Sequence, residues 1–310
     1  MKFVKHKIII LDKDMKPIQS FFIIPLLLMP ICLKSQNNIT EYSPGLSLNN
    51  SNIRHSGINY LQIPSDEIIK AFDNQPSFGM YKDNYFITGI PTNKKIGRTT
   101  ADAKFQISIR QRLLNIDLPF NSHIFIIYSQ KSFWDVYESS SPFADNNYNP
   151  GLLWTTPIIL DNSLRGMASF SLEHESNGKG GEDSRCWNYF SLSGSYFINN
   201  SLSAQVKLWY GFGLNEDNPN LLKYKGYGLV ALNYRTTKDK FRGSLIINPC
   251  KGFRAFNTTL EVNFKISTKL NQYFFIQWYN GYAESLLEYD KYCSMVRAGI
   301  CLKPLFTNLY

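Results

Sequence analysis

The chain has 310 residues, with 33 Lys and Arg against 24 Asp and Glu for a net charge of +9. No run of about 18 apolar residues occurs, which excludes a membrane-spanning helix, and the basic residues are scattered without a dense cluster, so nucleic acid is not an expected partner. The 22 Phe, 19 Tyr and 5 Trp remain compatible with a membrane β-barrel, whose strands are only half apolar.

At the N-terminal end, Lys2, Lys5, Lys7, Lys13 and Lys16 precede "FFIIPLLLMPICL" at 21–33. A basic stretch followed by an apolar run of about 13 residues reads as a signal peptide over 1–35, with cleavage after Ser35 and export of the remainder. A lipoprotein signal through Cys32 is the weaker reading, because Ile31 is bulky where a small residue is wanted. The other cysteines (Cys186, Cys250, Cys293 and Cys301) show neither metal-site spacing nor a small-domain disulfide framework.

Residues 36–83 form a polar entry segment, expected on the periplasmic side, in which "SDEIIKAFDN" at 65–74 predicts one short helix capped by Ser65. From Asn84 to the C-terminal end the pattern becomes apolar–polar alternation, the period of a strand with two unlike faces. Twelve strands are expected near 85–93, 103–114, 123–132, 151–160, 168–176, 186–197, 202–212, 224–235, 240–248, 257–266, 272–282 and 294–302. In "LSAQVKLWY", Leu202, Ala204, Val206, Leu208 and Tyr210 share one face. Glu173, Glu175, Lys207, Glu261 and Lys265 fall on the opposite, inward face.

A soluble sandwich would alternate too. Strand lengths of about 8–12 residues suit a tilted membrane strand. Long connections at 133–150, 177–185, 213–223 and 283–293 alternate with short ones at 161–167, 198–201, 236–239 and 267–271, as in outer-membrane barrels. The last residue, Tyr310, is aromatic, a common end for such chains. The expected fold is therefore all-β, a twelve-stranded antiparallel transmembrane β-barrel over 84–310 in the outer membrane of a Gram-negative cell.

Within this frame, "HESNGKGGEDSRCWN" at 174–188 stands out. His174 and Ser176 continue the apolar row of Ala168, Phe170 and Leu172, and a hairpin centred near Gly181 sets His174 opposite Asn188. Polar groups on a lipid face are costly unless they satisfy one another. A hydroxyl, an imidazole and an amide side by side can do so, and they form a nucleophile, base and orienter. The bland reading is an interfacial polar fringe. His6, His55 and His123 lack this setting.

The stretch resembles the signature of the outer-membrane phospholipase A family (phospholipase A1), roughly H-[DE]-S-N-G-x(5)-S-R-x-W-N. "YSQKSFWDVYESSSPFADNNYNP" at 128–150, "NEDNPNLLKYKGY" at 215–227, "GYAESLLEYD" at 281–290 and "KFQISI" at 104–109 resemble further blocks in the same order. The resemblance implies hydrolysis of acyl esters of phospholipids and lysophospholipids, Ca2+ dependence and activation by homodimerisation. It assigns Ser176 as nucleophile, His174 as base and Asn188 as orienter, with the oxyanion held by the backbone N–H of Ser176 or Gly178. Calcium would be held by the Ser184 hydroxyl, the Lys179 carbonyl and, across the dimer, Ser140. Gln130 matches an amide at the dimer interface, although both rows of its strand are apolar and its facing is left open. Gly180 and Gly181 stand where relatives often carry an acidic residue of a second calcium site, for which Glu182, Asp183 or Asp217 could compensate. The alternatives are a passive porin or adhesion barrel, in which Ser176 would be dispensable, and a lipid A deacylase.

Overall fold

The computed structural model describes residues 65–214, 218–267 and 270–304. The expected signal peptide, residues 36–64, Asp217 and the terminal Tyr310 lie outside them. Thirteen strands form one antiparallel sheet. The first seven are β1 (Phe78–Met80), β2 (Asn84–Pro91), β3 (Asp102–Arg112), β4 (His123–Trp134), β5 (Phe143–Leu160), β6 (Ser163–Ser176) and β7 (Cys186–Phe197). The remaining six are β8 (Leu202–Phe212), β9 (Gly228–Arg235), β10 (Phe241–Cys250), β11 (Ala255–Lys265), β12 (Gln272–Gly281) and β13 (Cys293–Leu302).

Each strand from β2 onward pairs with its sequence neighbours, and β13 returns to β2, closing a twelve-stranded ring with no free edge. The barrel expected from alternation is the observed fold. Short β1 continues the line of β2 along β3, pairing Met80 with Ile109 while β2 pairs Tyr85 with Gln106; Tyr81, Lys82 and Asp83 bulge between the two.

The two faces of the wall differ as the period requires. Outward rows carry exposed Phe86, Ile107, Leu152, Phe170, Leu172, Phe190, Leu192, Val206, Val230 and Phe274. Inward rows carry buried Ser169, Ser171, Glu173, Ser191, Ser193, Gln205, Lys207, Glu261 and Asn263. The interior is filled by paired charges rather than left as a wide channel. Arg297 bonds both oxygens of Asp102 at 2.7 Å and Glu284 at 2.7 Å, and Lys104 reaches Glu284 at 2.9 Å. Burial pushes the Glu284 carboxyl up, but the Arg297 and Lys104 charges outweigh it and hold the group well below the usual carboxylate range. Glu173 accepts from Ser171, Tyr189 and Lys207.

Helix α1 (Ser65–Asp73), within the stretch expected to be helical, packs against the wall near the short turns. Its Ile68 and Phe72 pack with Leu164, Met167 and Phe197. The Arg112 guanidinium donates to the carbonyls of Asp73 and Phe72 at 2.9 and 3.0 Å, satisfying the unpaired C-terminal end of the helix.

Three local expectations differ from the structure. Residues 143–150, expected in a loop, are strand, so β5 is 18 residues long. Asp145, Asn147 and Asn149 are buried on its inward row, where polar residues belong, and Pro150 leaves only a gap in the ladder with β6 between the pairs Tyr148–Ser176 and Gly151–Glu173. Residues 221–225, assigned partly to a strand, are the one-turn helix α2 (Leu221–Lys225). The connection at 161–167 shrinks to Asp161 and Asn162, both with positive φ (50° and 56°), which is the geometry of a tight two-residue hairpin.

This facing has a measurable consequence. Leu192 is 60% exposed at mid-strand, so Leu192→Arg should cost about 2–4 kcal/mol in the bilayer. Urea unfolding from lipid vesicles reads this directly; an unchanged midpoint would place Leu192 away from lipid.

Candidate active site

The β6–β7 hairpin sets the geometry. Residues 173, 171 and 169 are buried in the lumen while Phe170 and Leu172 are exposed outside. Because a strand side chain repeats every second position, His174 and Ser176 lie on the outward row. On β7, Trp187, Tyr189 and Ser191 are buried, so Asn188 lies outward with Phe190 and Leu192. The register pairs His174 with Asn188 and Ser176 with Cys186. His174 Nδ1 lies 2.9 Å from Asn188 Oδ1. Since the amide oxygen only accepts, the bond requires a proton on Nδ1 and leaves the Nε2 lone pair free to act as a base.

Two glycines shape the immediate surroundings. Gly213 follows β8 with φ 58°, and a Cβ built on it would stand 2.8 Å from Asn188 Nδ2. Only glycine leaves room for the amide there. Gly178 has φ 68°, and its Cβ would meet the Tyr148 ring at 3.0 Å. Tyr148 is itself the cross-strand partner of Ser176. Gly178 is exposed, and its N–H has no protein acceptor among the described residues.

The connection 177–185 is organised by buried Asn177. Its Oδ1 accepts from the N–H groups of Lys179 (3.3 Å) and Arg185 (3.0 Å), and its Nδ2 donates to the Asp183 carbonyl at 2.8 Å. This brings Lys179 and Ser184 onto one compact loop, with Glu182 and Asp183 exposed beside them. The Lys179 ammonium donates to the Ala144 carbonyl at 3.0 Å, tying the loop to the start of β5. Ser140 sits apart, in the 135–142 connection, with φ 70°.

Between His174 and Ser176, Glu175 points the other way. Its Oε2 accepts from Trp187 Nε1 at 2.8 Å and pairs with Lys225 of α2 at 3.0 Å, so the inward side of the same strand is fastened to a loop helix. Gln130, whose facing the sequence left open, shares the outward row of exposed Ile126. There it accepts from Tyr128 Oη at 3.0 Å and donates to Ser132 Oγ at 3.1 Å. Gly213, Asn177, Tyr148 and the Glu175–Trp187–Lys225 anchor were not singled out from the sequence. The Gly-Phe-Gly run at the end of β8 was the available signal for the first.

A family model described as phospholipase A1 matches residues 72–302. The chain belongs to the phospholipase A1 family. A phospholipase A1 of Proteus vulgaris is 31% identical over 261 residues, 77% of this chain and 86% of that protein. The Escherichia coli K12 enzyme is 32% identical over 218 residues, 66% of this chain and 71% of its own. The solved outer membrane phospholipase A of E. coli superposes with a TM-score of 0.67 at 25% identity, covering 79% of this chain and all of that one. The protein is therefore a phospholipase built as an outer-membrane β-barrel, and the passive-barrel alternative falls away.

The close approach of Gly213 to Asn188 yields a test. Gly213→Ala should cost about 1–2 kcal/mol of stability through the left-handed backbone. By displacing the amide it should lower phospholipase turnover by roughly 10–100-fold. Fatty-acid release by the folded variant checks this; full turnover would mean that the amide position is immaterial.

Proposed function

We propose that the protein hydrolyses acyl ester bonds of phospholipids and lysophospholipids in the outer membrane with Ser176 as nucleophile, His174 as base and Asn188 as orienter. The observation that carries this reading is the 2.9 Å contact between His174 Nδ1 and Asn188 Oδ1 on the lipid-facing side, with Ser176 two residues along the same row. A solved variant of the E. coli enzyme described as an active-site mutant carries an asparagine-to-alanine change, which supports an amide in this role.

The chemistry follows from the residues. His174 Nε2 takes the Ser176 proton as Oγ attacks the ester carbonyl carbon. The negative charge developing on the carbonyl oxygen is met by backbone N–H groups, for which Gly178, with its unengaged N–H, and Ser176 are the candidates; one such donor is worth about 3–4 kcal/mol. The protonated imidazole then returns its proton to the departing glycerol oxygen, leaving an acyl-serine. Water, deprotonated by the same Nε2, cleaves that ester and frees the fatty acid. Asn188 holds the ring tautomer without placing a carboxylate on the apolar wall, where an ionised group would be expensive. The acyl chain can lie along Phe170, Leu172, Phe190 and Leu192 without leaving the bilayer.

Calcium fits the donors at hand. The Ser184 hydroxyl and the Lys179 carbonyl are hard oxygens on one ordered loop, and the Lys179 ammonium is turned away toward Ala144. No group of three or more His, Cys, Asp or Glu able to hold a metal occurs among the described residues. A site needing a further donor from Ser140 across a dimer agrees with that sparse set. The Salmonella typhi enzyme was solved as a dimer with bound calcium. When bound, the ion would supply positive charge near the developing oxyanion. Gln130, polar on an otherwise apolar outer row, is the candidate contact between subunits.

Fatty-acid release from phospholipid micelles tests the reading. Calcium should support it and chelator should abolish it, with chemical cross-linking reporting a calcium-dependent dimer. Ser176→Ala should lower the rate by about four orders of magnitude or more. Release that ignores both chelator and substitution would remove the assigned mechanism.

A further inference from the structure

The barrel interior holds a cavity of about 270 Å3 that the phospholipase chemistry does not use. Its wall includes five lysines from five parts of the chain: Lys82 in the bulge after β1, Lys104 on β3, Lys131 on β4, Lys207 on β8 and Lys225 on α2. Three are matched to carboxylates, Lys104 to Glu284, Lys207 to Glu173 and Lys225 to Glu175. The other two are not. Among the described residues the Lys131 ammonium has no hydrogen-bond, ion-pair or ring partner, and the Lys82 ammonium has only the ring of its neighbour Tyr81, 5.2 Å away.

Of the four acids in the same wall, three are bonded by a cation, and the fourth, Glu261, accepts from Gln277 through one oxygen only. Asp83 is bonded by Lys303, Glu175 by Lys225 and Trp187, Glu284 by Arg297 and Lys104, and Glu261 by Gln277. Lys82 and Lys131 both line this one cavity. Both residues are half-buried, and an ammonium partly withdrawn from water gains from a bonded anion. Two lysines that line the cavity without a bonded carboxylate make it a candidate site for an anion.

We propose that this cavity is a binding site for a small phosphate, either inorganic or the phosphate of a short organic ester, held between Lys82 and Lys131 inside the barrel. The size argues for a small ligand, since pockets for drug-sized molecules occupy about 300–1,000 Å3. Three N–H donors on each ammonium suit a tetrahedral oxyanion. Lys225, Asn248 and Ala283 place one side of the cavity toward the long-connection end of the barrel. The proposal does not rest on the catalytic assignment. It does place the phosphate behind the strand bearing His174 and Ser176, where it would compete with Glu175 for Lys225.

The test uses the full-length barrel carrying Ser176→Ala, folded in non-ionic detergent, titrated with sodium phosphate or with glycerol 3-phosphate at constant ionic strength. Line broadening of the 31P resonance and emission of Trp187 and Trp209, which line the cavity, report binding. Saturable binding of either ligand is expected, weakened about tenfold or more by Lys82→Met with Lys131→Met and unaffected by Lys223→Met. Saturation by glycerol 3-phosphate alone would identify an organic phosphate as the ligand, and saturation by inorganic phosphate would show that the oxyanion suffices; both support the site. Should the double variant not fold, reductive methylation of the unsubstituted lysines, mapped by peptide mass spectrometry, takes its place, with phosphate protecting Lys82 and Lys131 selectively. Non-saturable titrations, binding indifferent to both lysines, or methylation unchanged by phosphate would overturn the proposal.

Discussion

The architecture depends on one constraint: in a closed sheet, neighbouring residues on a strand face different solvents. On β6, Glu173 and Glu175 enter an aqueous, charge-paired interior, while Leu172, His174 and Ser176 meet the apolar exterior. The lumen tolerates charge where a carboxylate finds cationic donors, as Glu284 does from Arg297 and Lys104. The exterior offers no such partners, so a polar side chain there must find one on its own wall. The His174–Asn188 hydrogen bond meets this demand across the β6–β7 register. The same contact fixes the imidazole tautomer that the proposed role of His174 as base needs.

The anchoring of this pair is indirect. Glu175 joins the inward side of the strand to Trp187 and, through Lys225, to α2. Asn177 gathers the connection that follows Ser176. Gly213 gives the Asn188 amide its space. A rigid wall thus presents polar groups to lipid from elements that are far apart in sequence. The lysines of the lumen lie on the opposite side of that wall, which makes the interior more than inert filling.

Much of the fold was legible because alternation is a strong signal wherever the two environments differ. It failed where they did not. Residues 143–150 read as a loop because Asp, Asn and Pro are poor strand formers, yet on an inward row facing a polar lumen Asp145, Asn147 and Asn149 are well placed. Gln130 could not be faced from the sequence because inward Phe125 and Ile127 join an apolar cluster with Tyr81 and Leu153, which makes both rows of β4 apolar. Helix α2 was hidden by five residues too few to show a helical period. The parity of His174, Ser176 and Asn188 was readable because Phe170, Leu172, Phe190 and Leu192 flank them. Gly213 and Asn177 were not, since their roles arise from close approaches that no local pattern encodes.

The most direct test of the central claim is nuclear magnetic resonance of the folded barrel in lipid, with nitrogen-15 in its histidines. The account predicts that His174 carries its proton on Nδ1, loses that preference in Asn188→Ala, and shows through-space contacts to acyl-chain methylene protons. A His174 ring in contact with water alone, or a tautomer indifferent to Asn188, would contradict it.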